Sequence, residues 1–206
     1  MNRVRPPLLA VVLLIGATEL AAALPPPRDL DWPCQQIKVP TLSLAAVWAG
    51  PPIDPAQIAW QQDPRVSALV QRLAQRRVPI EQANKELQAF AQQADGQKQP
   101  RLLATMAGLF SLLNQERDSV LAGLDRFGQR QKILAAEIRQ DNEKLQALQN
   151  QPKADANLVQ QLTTQVTLEE QMFLDRRQAV TYACDVPGKV EQRLFALAQT
   201  IQQQLQ

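Results

Sequence analysis

The stretch MAGLFSLLNQERDSVLAGLDRFGQRQKILAAEIRQDNEKLQAL, Met106 to Leu148, decides the fold class of this chain. Steps of four and three residues from Met106 land on Phe110, Leu113, Arg117, Val120, Leu124, Phe127, Gln131, Leu134, Ile138, Asp141, Leu145 and Leu148, and ten of these thirteen positions are apolar. A spacing that averages three and a half residues keeps them along one side of a helix, as the seam of a coiled coil. A second seam follows at Val159, Leu162, Val166, Glu169, Phe173, Arg176, Val180 and Ala183. Between the seams lies Asn150-Gln151-Pro152-Lys153-Ala154-Asp155, where Pro152 cannot continue a helix and Asp155 is placed to cap the next one. The pattern predicts an all-α protein with a long antiparallel hairpin spanning about residues 100–183.

The flanks supply the rest of an elongated bundle over residues 63–206. Asp63-Pro64 is a helix start: the carboxylate can accept from free backbone N–H groups, and proline at the first helical position loses nothing by lacking a donor. Val66, Leu69, Val70 and Leu73 mark an apolar face. Pro79 opens a second helix carrying Ile80, Ala83, Leu87 and Phe90, with Asp95-Gly96 as its stop. The long third helix is expected to open at Pro100. Gly108, Gly123 and Gly128 leave its continuity open, because each glycine costs about 1 kcal/mol relative to alanine in a helix interior. A fourth helix is expected from about Asp155 to Tyr182, interrupted by Asp185-Val186-Pro187-Gly188. The last helix carries Val190, Leu194, Leu197, Ile201 and Leu205, a pattern that needs an apolar groove.

Residues 24–62 have a different character. Nine of the chain's 15 prolines fall between Pro25 and Pro64, and no long helix survives that density. All three tryptophans, Trp32, Trp48 and Trp60, lie in the same stretch. An extended arm that packs on something is expected, since a disordered linker is poor in aromatics. The rings either fill grooves between this protein's own helices or, for Trp48 and Trp60, form part of a docking face.

At the N-terminus Arg3 and Arg5 precede an apolar run from Leu8 to Ile15, and Ala21-Ala22-Ala23 follows. This is the pattern of a secretory signal peptide over residues 1–23. The alternative is an uncleaved anchor, the one route by which the chain would touch a membrane. Removing the segment takes away Arg3, Arg5 and Glu19 and leaves a chain close to neutral, which argues against nucleic acid or an anionic membrane as main partner. Cys34 and Cys184 are the two cysteines, and in an exported, oxidising setting they are expected to form one disulfide.

The chain contains no histidine. That removes the commonest general base, every Ser-His-Asp or Cys-His arrangement, and di-iron bundles built on Glu-x-x-His pairs. There is no phosphate-binding glycine loop and no dinucleotide fingerprint. Glu169, Glu170 and Asp175 could face Glu137 and Asp141 as a metal site, but the interleaved Lys132, Arg139, Lys144, Arg176 and Arg177 indicate a solvated, salt-bridged surface. No enzyme, metal or cofactor is expected.

The polar seam positions are the sharper feature. With the turn near Pro152, Glu169 falls level with Leu134 and Arg176 with Phe127, so Arg176 is expected to reach Asp125 and Glu169 to reach Arg130 or Lys132. Such residues either specify register or mark places where a further helix docks. A projecting hairpin, from about Gln131 round to Thr167, cannot bury both its helices alone, and its tip carries Leu145, Leu148 and Leu158. In architecture it is similar to the tentacles of some exported chaperones and the docking arms of efflux adaptors, although no β-rich body accompanies it. The expected function is that of an exported, periplasmic accessory, adaptor or chaperone-like assembly factor. Its candidate partner-binding residues are Trp48, Trp60, Leu145, Leu148, Leu158, Glu169 and Arg176, and its partner is another envelope protein or a second copy. A small-molecule-binding bundle, with a ligand between the tryptophans and the helices, is the alternative.

Overall fold

A computed structural model describes residues 31–93 and 95–206; the expected signal segment and the first part of the arm lie outside the described residues. Five α-helices account for most of the described residues: α1 (Pro64–Ala74), α2 (Ile80–Gln92), α3 (Lys98–Gln149), α4 (Ala156–Cys184) and α5 (Val186–Leu205). Short 3-10 turns occupy Leu44–Ala46, Trp60–Gln62 and Asp95–Gln97, and no strand occurs among the described residues. The all-α class expected from the seam is the class observed.

Local chemistry accounts for the helix starts. One carboxylate oxygen of Asp63 accepts from the backbone N–H groups of Arg65 at 2.9 Å and Val66 at 3.3 Å, with Pro64 in the first turn. Asp155 does the same for Asn157 at 2.8 Å and Leu158 at 3.4 Å. These two caps satisfy donors that have no partner inside the helix. Two boundaries differ from expectation. α3 begins at Lys98, so Pro100 sits within its first turn, where its missing N–H breaks no helical bond. α5 begins at Val186 rather than beyond Gly188, because Pro187 is likewise tolerated in a first turn; Asp185 alone separates it from α4.

α3 is continuous over its 52 residues, roughly 78 Å of helix at 1.5 Å per residue. Two of its glycines are explained by close approach. A β-carbon at Gly108 would lie 2.8 Å from both the Trp60 ring and Val70, and one at Gly128 would run into the Asp31 carbonyl. Helix propensity is given up there to let other elements come near.

The core sits at one end of the molecule. Val66, Val70 and Leu73 of α1, Leu87 of α2, Leu102, Met106, Leu109 and Leu113 of α3, and Val190, Leu194, Leu197 and Ile201 of α5 are all fully buried together. Trp48 and Trp60 complete this core at 7% and 8% exposure. Arg193 of α5 reaches through it and donates to the carbonyls of Leu73 at 2.7 Å and Val78 at 2.8 Å, satisfying acceptors left over where α1 ends. Burial lowers its pKa from the ordinary arginine value, and the nearby Glu116 charge partly offsets that.

A second, smaller cluster at the root of the hairpin joins Leu124, Val180 and Cys184 to Trp32, Cys34, Val120, Phe127 and Ala183. Here Cys34 and Cys184 are joined in a disulfide with their Cα atoms 5.6 Å apart. A bond of this kind persists in oxidising compartments, which points to an exported location. No helix among the described residues is long and apolar enough to cross a membrane.

Candidate interaction surface on the hairpin

The hairpin's register is set by side chains crossing its seam. Gln131 Nε2 donates to the Phe173 carbonyl at 3.3 Å, Gln165 Nε2 to Asp141 Oδ2 at 2.9 Å, and Asn142 Nδ2 to Glu170 Oε1 at 3.2 Å. This is within one helical turn of the register expected from a turn at Pro152. The expected ion pairs do not form. Asp125 is taken by Lys38 at 2.7 Å and Lys132 by Asp31, while Glu169 accepts from Gln165 at 3.0 Å and Arg176 is exposed, with no ion pair among the described residues. The arm brings its own charges to the hairpin and wins these partners, because the disulfide holds it against α3 and α4.

The polar seam positions divide into two kinds. Arg117, 1% exposed, donates to Glu191 of α5 at 2.5 Å and to the Val39 carbonyl of the arm. A third helix and the arm do dock at this polar interruption, and both belong to the same chain. Farther out, Gln131 Oε1 and Glu169 Oε2 are buried with no hydrogen-bond partner among the described residues. Asp141 is satisfied by Lys144 at 2.7 Å and by Gln165. Glu170 and Asp175 are hydrogen-bonded to the amides of Asn142 and Gln171, and no cluster of three potential metal ligands occurs among the described residues.

Helix geometry assigns the two faces of the hairpin. Residues one position after a seam residue turn to one side: Ala135, Glu170 and Leu174 line a groove there with Ile138 and Phe173. Asp125, Gly128 and Lys132 belong to the same side and meet the arm. Residues one position before a seam residue turn the other way. There Lys144, Ala147, Leu158, Gln161 and Gln165 line a groove of about 430 Å³ together with Leu148 and Leu162. The hairpin therefore has one face that the arm meets at its root and one, the open face, that carries the second groove.

The open face carries a longer series of exposed apolar residues than the other, where Leu174 is exposed. By the same geometry it carries Ile133, Leu158, Leu168, Met172 and Tyr182, which are 59%, 48%, 65%, 38% and 76% exposed. Only Leu158 was singled out by sequence. The other four are apolar residues just before a seam position in both helices, a regularity visible in the sequence once both seams are written out. Of the other candidates, Leu148 lines the open groove, Leu145 is buried in the seam, Glu169 sits half-buried in it and Arg176 is exposed. Trp48 and Trp60 lie in the base core, where Trp48 also donates to the Pro51 carbonyl at 2.8 Å. Their rings are buried in that core.

Compared with known protein families, curated proteins and solved structures, the chain finds no match.

Proposed function

We propose that this chain is an exported, periplasmic, non-enzymatic accessory protein, an adaptor or assembly factor that acts by docking another polypeptide along the open face of its hairpin. The observation that carries this is the asymmetry of the hairpin. Residues 131–167 project beyond both apolar clusters; the arm meets one side of the hairpin only at its root, as far as Lys132, and the opposite side exposes Ile133, Leu158, Leu168, Met172 and Tyr182 along the hairpin. Isolated exposed apolar residues are ordinary, but an aligned series on one projecting face is the form a protein-binding surface takes. The disulfide and the leader-like pattern of residues 1–23 support export.

A photo-crosslinking residue at Met172 in the oxidised chain, irradiated in cells that export it, tests the proposal. A discrete protein adduct is expected there and not at exposed Lys85 of α2, far from the hairpin. No adduct at Met172, Leu168 or Leu158 would overturn it.

A further inference from the structure

Resting on that interaction surface, we infer that its occupant is the same face of a second copy of this chain. The two hairpins run antiparallel and form a four-helix bundle about a twofold axis crossing them near Leu134. The inference comes from what the hairpin's register places side by side. The hydrogen bonds from Gln131 to Phe173 and from Gln165 to Asp141 set Met172 level with Ile133, Leu168 with Glu137, Asp175 with Arg130, and Leu158 with Ala147. Along α3 the open face thus reads positive at Arg130, apolar at Ile133, negative at Glu137. Neither Arg130 nor Glu137 has an ion-pair partner among the described residues.

A twofold axis lying in the interface and perpendicular to the hairpin stacks α3 on the α3 of the second copy. Centred near Leu134, it brings Arg130 opposite Glu137 of the second copy, and Glu137 opposite that copy's Arg130. Ile133 meets its own symmetry mate. On α4, Met172 meets its own symmetry mate, Leu168 falls beside Asp175 of the second copy, and Tyr182 lies within about one helical turn of that copy's Leu158. The exposed apolar residues of the face are then covered and Arg130 and Glu137 are paired, the self-complementarity that a twofold interface demands. A parallel arrangement, with the axis along the hairpin, pairs Arg130 with Asp175 and lays Glu137 on Leu168; Asp175 already accepts from Gln171 at 2.8 Å, whereas Glu137 has no partner among the described residues, so leaving Glu137 unpaired is the costlier choice. The overlap runs for roughly 37 Å along two helices together about 20 Å wide, so about 1,500 Å² is buried over both copies. Stable specific interfaces bury about 1,200–2,000 Å². Asp31 and Lys38 of the arm meet the other face, away from the contact.

Light scattering and sedimentation of the full oxidised chain test the inference. The wild-type chain is expected at twice its monomer mass. Arg130→Glu and Glu137→Arg, both at exposed positions, are each expected to weaken the dimer at least about tenfold while leaving helicity unchanged, since each places two like charges in contact. An equimolar mixture of the two variants, and the double variant, are both expected to recover the dimer, because each restores two opposite-charge pairs. A monomeric wild-type chain at about 100 μM, or a dimer indifferent to Glu137→Arg, would overturn the antiparallel pairing; the second result is what a parallel dimer gives. The Met172 crosslink separates the two proposals. An adduct of two copies of this chain supports both, an adduct with a different polypeptide on a monomeric chain removes only the second copy, and no adduct removes both.

Discussion

Helix α3 passes through two environments that its sequence writes in the same hand. Between Leu102 and Leu113 it is packed among α1, α2, α5, Trp48 and Trp60, and Leu102, Met106, Leu109 and Leu113 are fully buried. Beyond Gln131 it pairs with α4, and only Leu134, Asp141 and Leu145 remain buried on it. A seam of period three and a half describes a stripe. It does not say how many neighbours cover that stripe or its flanks. In the base the flanks are covered too, so Ala107, Gly108 and Leu109 are buried in succession; in the hairpin the flank residue Ile133 faces solvent. The lesson is that a continuous helix can be enclosed at one end and exposed along a flank at the other without any change in its periodicity.

The largest test of this division is the disulfide, which ties the arm to the hairpin root across 150 residues of chain. Replacing Cys34 and Cys184 by serine should cost up to about 5 kcal/mol on the chain-entropy account. Hydrogen exchange should quicken first over residues 31–42 while the base keeps its protection. Uniform loss of protection would mean that root and base are one unit.

Truncations compare the regions directly. Leu109→Ala should cost about 4 kcal/mol in urea unfolding, near the upper end for a fully enclosed leucine, whereas Leu145→Ala should cost about 2 kcal/mol because one of its sides is already open. Equal costs would break the comparison.

Next comes the contact between arm and hairpin. Gly128→Ala drives a methyl group into the Asp31 carbonyl and should destabilise by about 2 kcal/mol, raising exchange at the arm. Gly123→Ala, whose nearest neighbour would be Arg126 at 3.9 Å, should stabilise α3 by up to about 1 kcal/mol. Like signs for the two would contradict the arm's placement. In the distal seam, Glu169→Leu should raise stability by about 1 kcal/mol, since it removes a buried carboxylate oxygen that has no hydrogen-bond partner among the described residues.

The smallest effect is acid sensitivity, and it falls on the base. Burial raises the Asp63 carboxyl, but the N–H groups of Val66 and Arg65 and the Arg101 guanidinium outweigh it and hold its pKa below the ordinary value. Glu86 is held low chiefly by its hydrogen bond to Arg72, against burial and with help from Gln82. Both groups bind a proton more weakly folded than unfolded. Their contribution is therefore complete above about pH 5 and is lost as pH falls through the lowered folded values. Asp63→Asn and Glu86→Gln should each flatten the acid limb of the stability profile slightly; an unchanged limb would remove these contacts from the account.

Much of the fold was legible because it depends on neighbours in sequence. Caps at Asp63 and Asp155, breaks at Pro79 and Pro152, and apolar spacing along five helices are all local physics. The disulfide was legible by simple pairing of two cysteines. The ion pairs of Asp125 and Lys132 were not. Their real partners, Lys38 and Asp31, lie about 90 to 100 residues away on an arm whose path no periodicity encodes.

The sequence by itself determined that this chain forms long amphipathic helices folded into a hairpin, because helix periodicity and proline chemistry act within a few residues. Only the tertiary structure decided what those helices face. Which glycines are contact points, which tryptophans are core, and which side of the hairpin stays bare all depend on where a proline-rich arm lies across it. That path is set by one disulfide and a few long-range charges, which leave no period in the sequence to read.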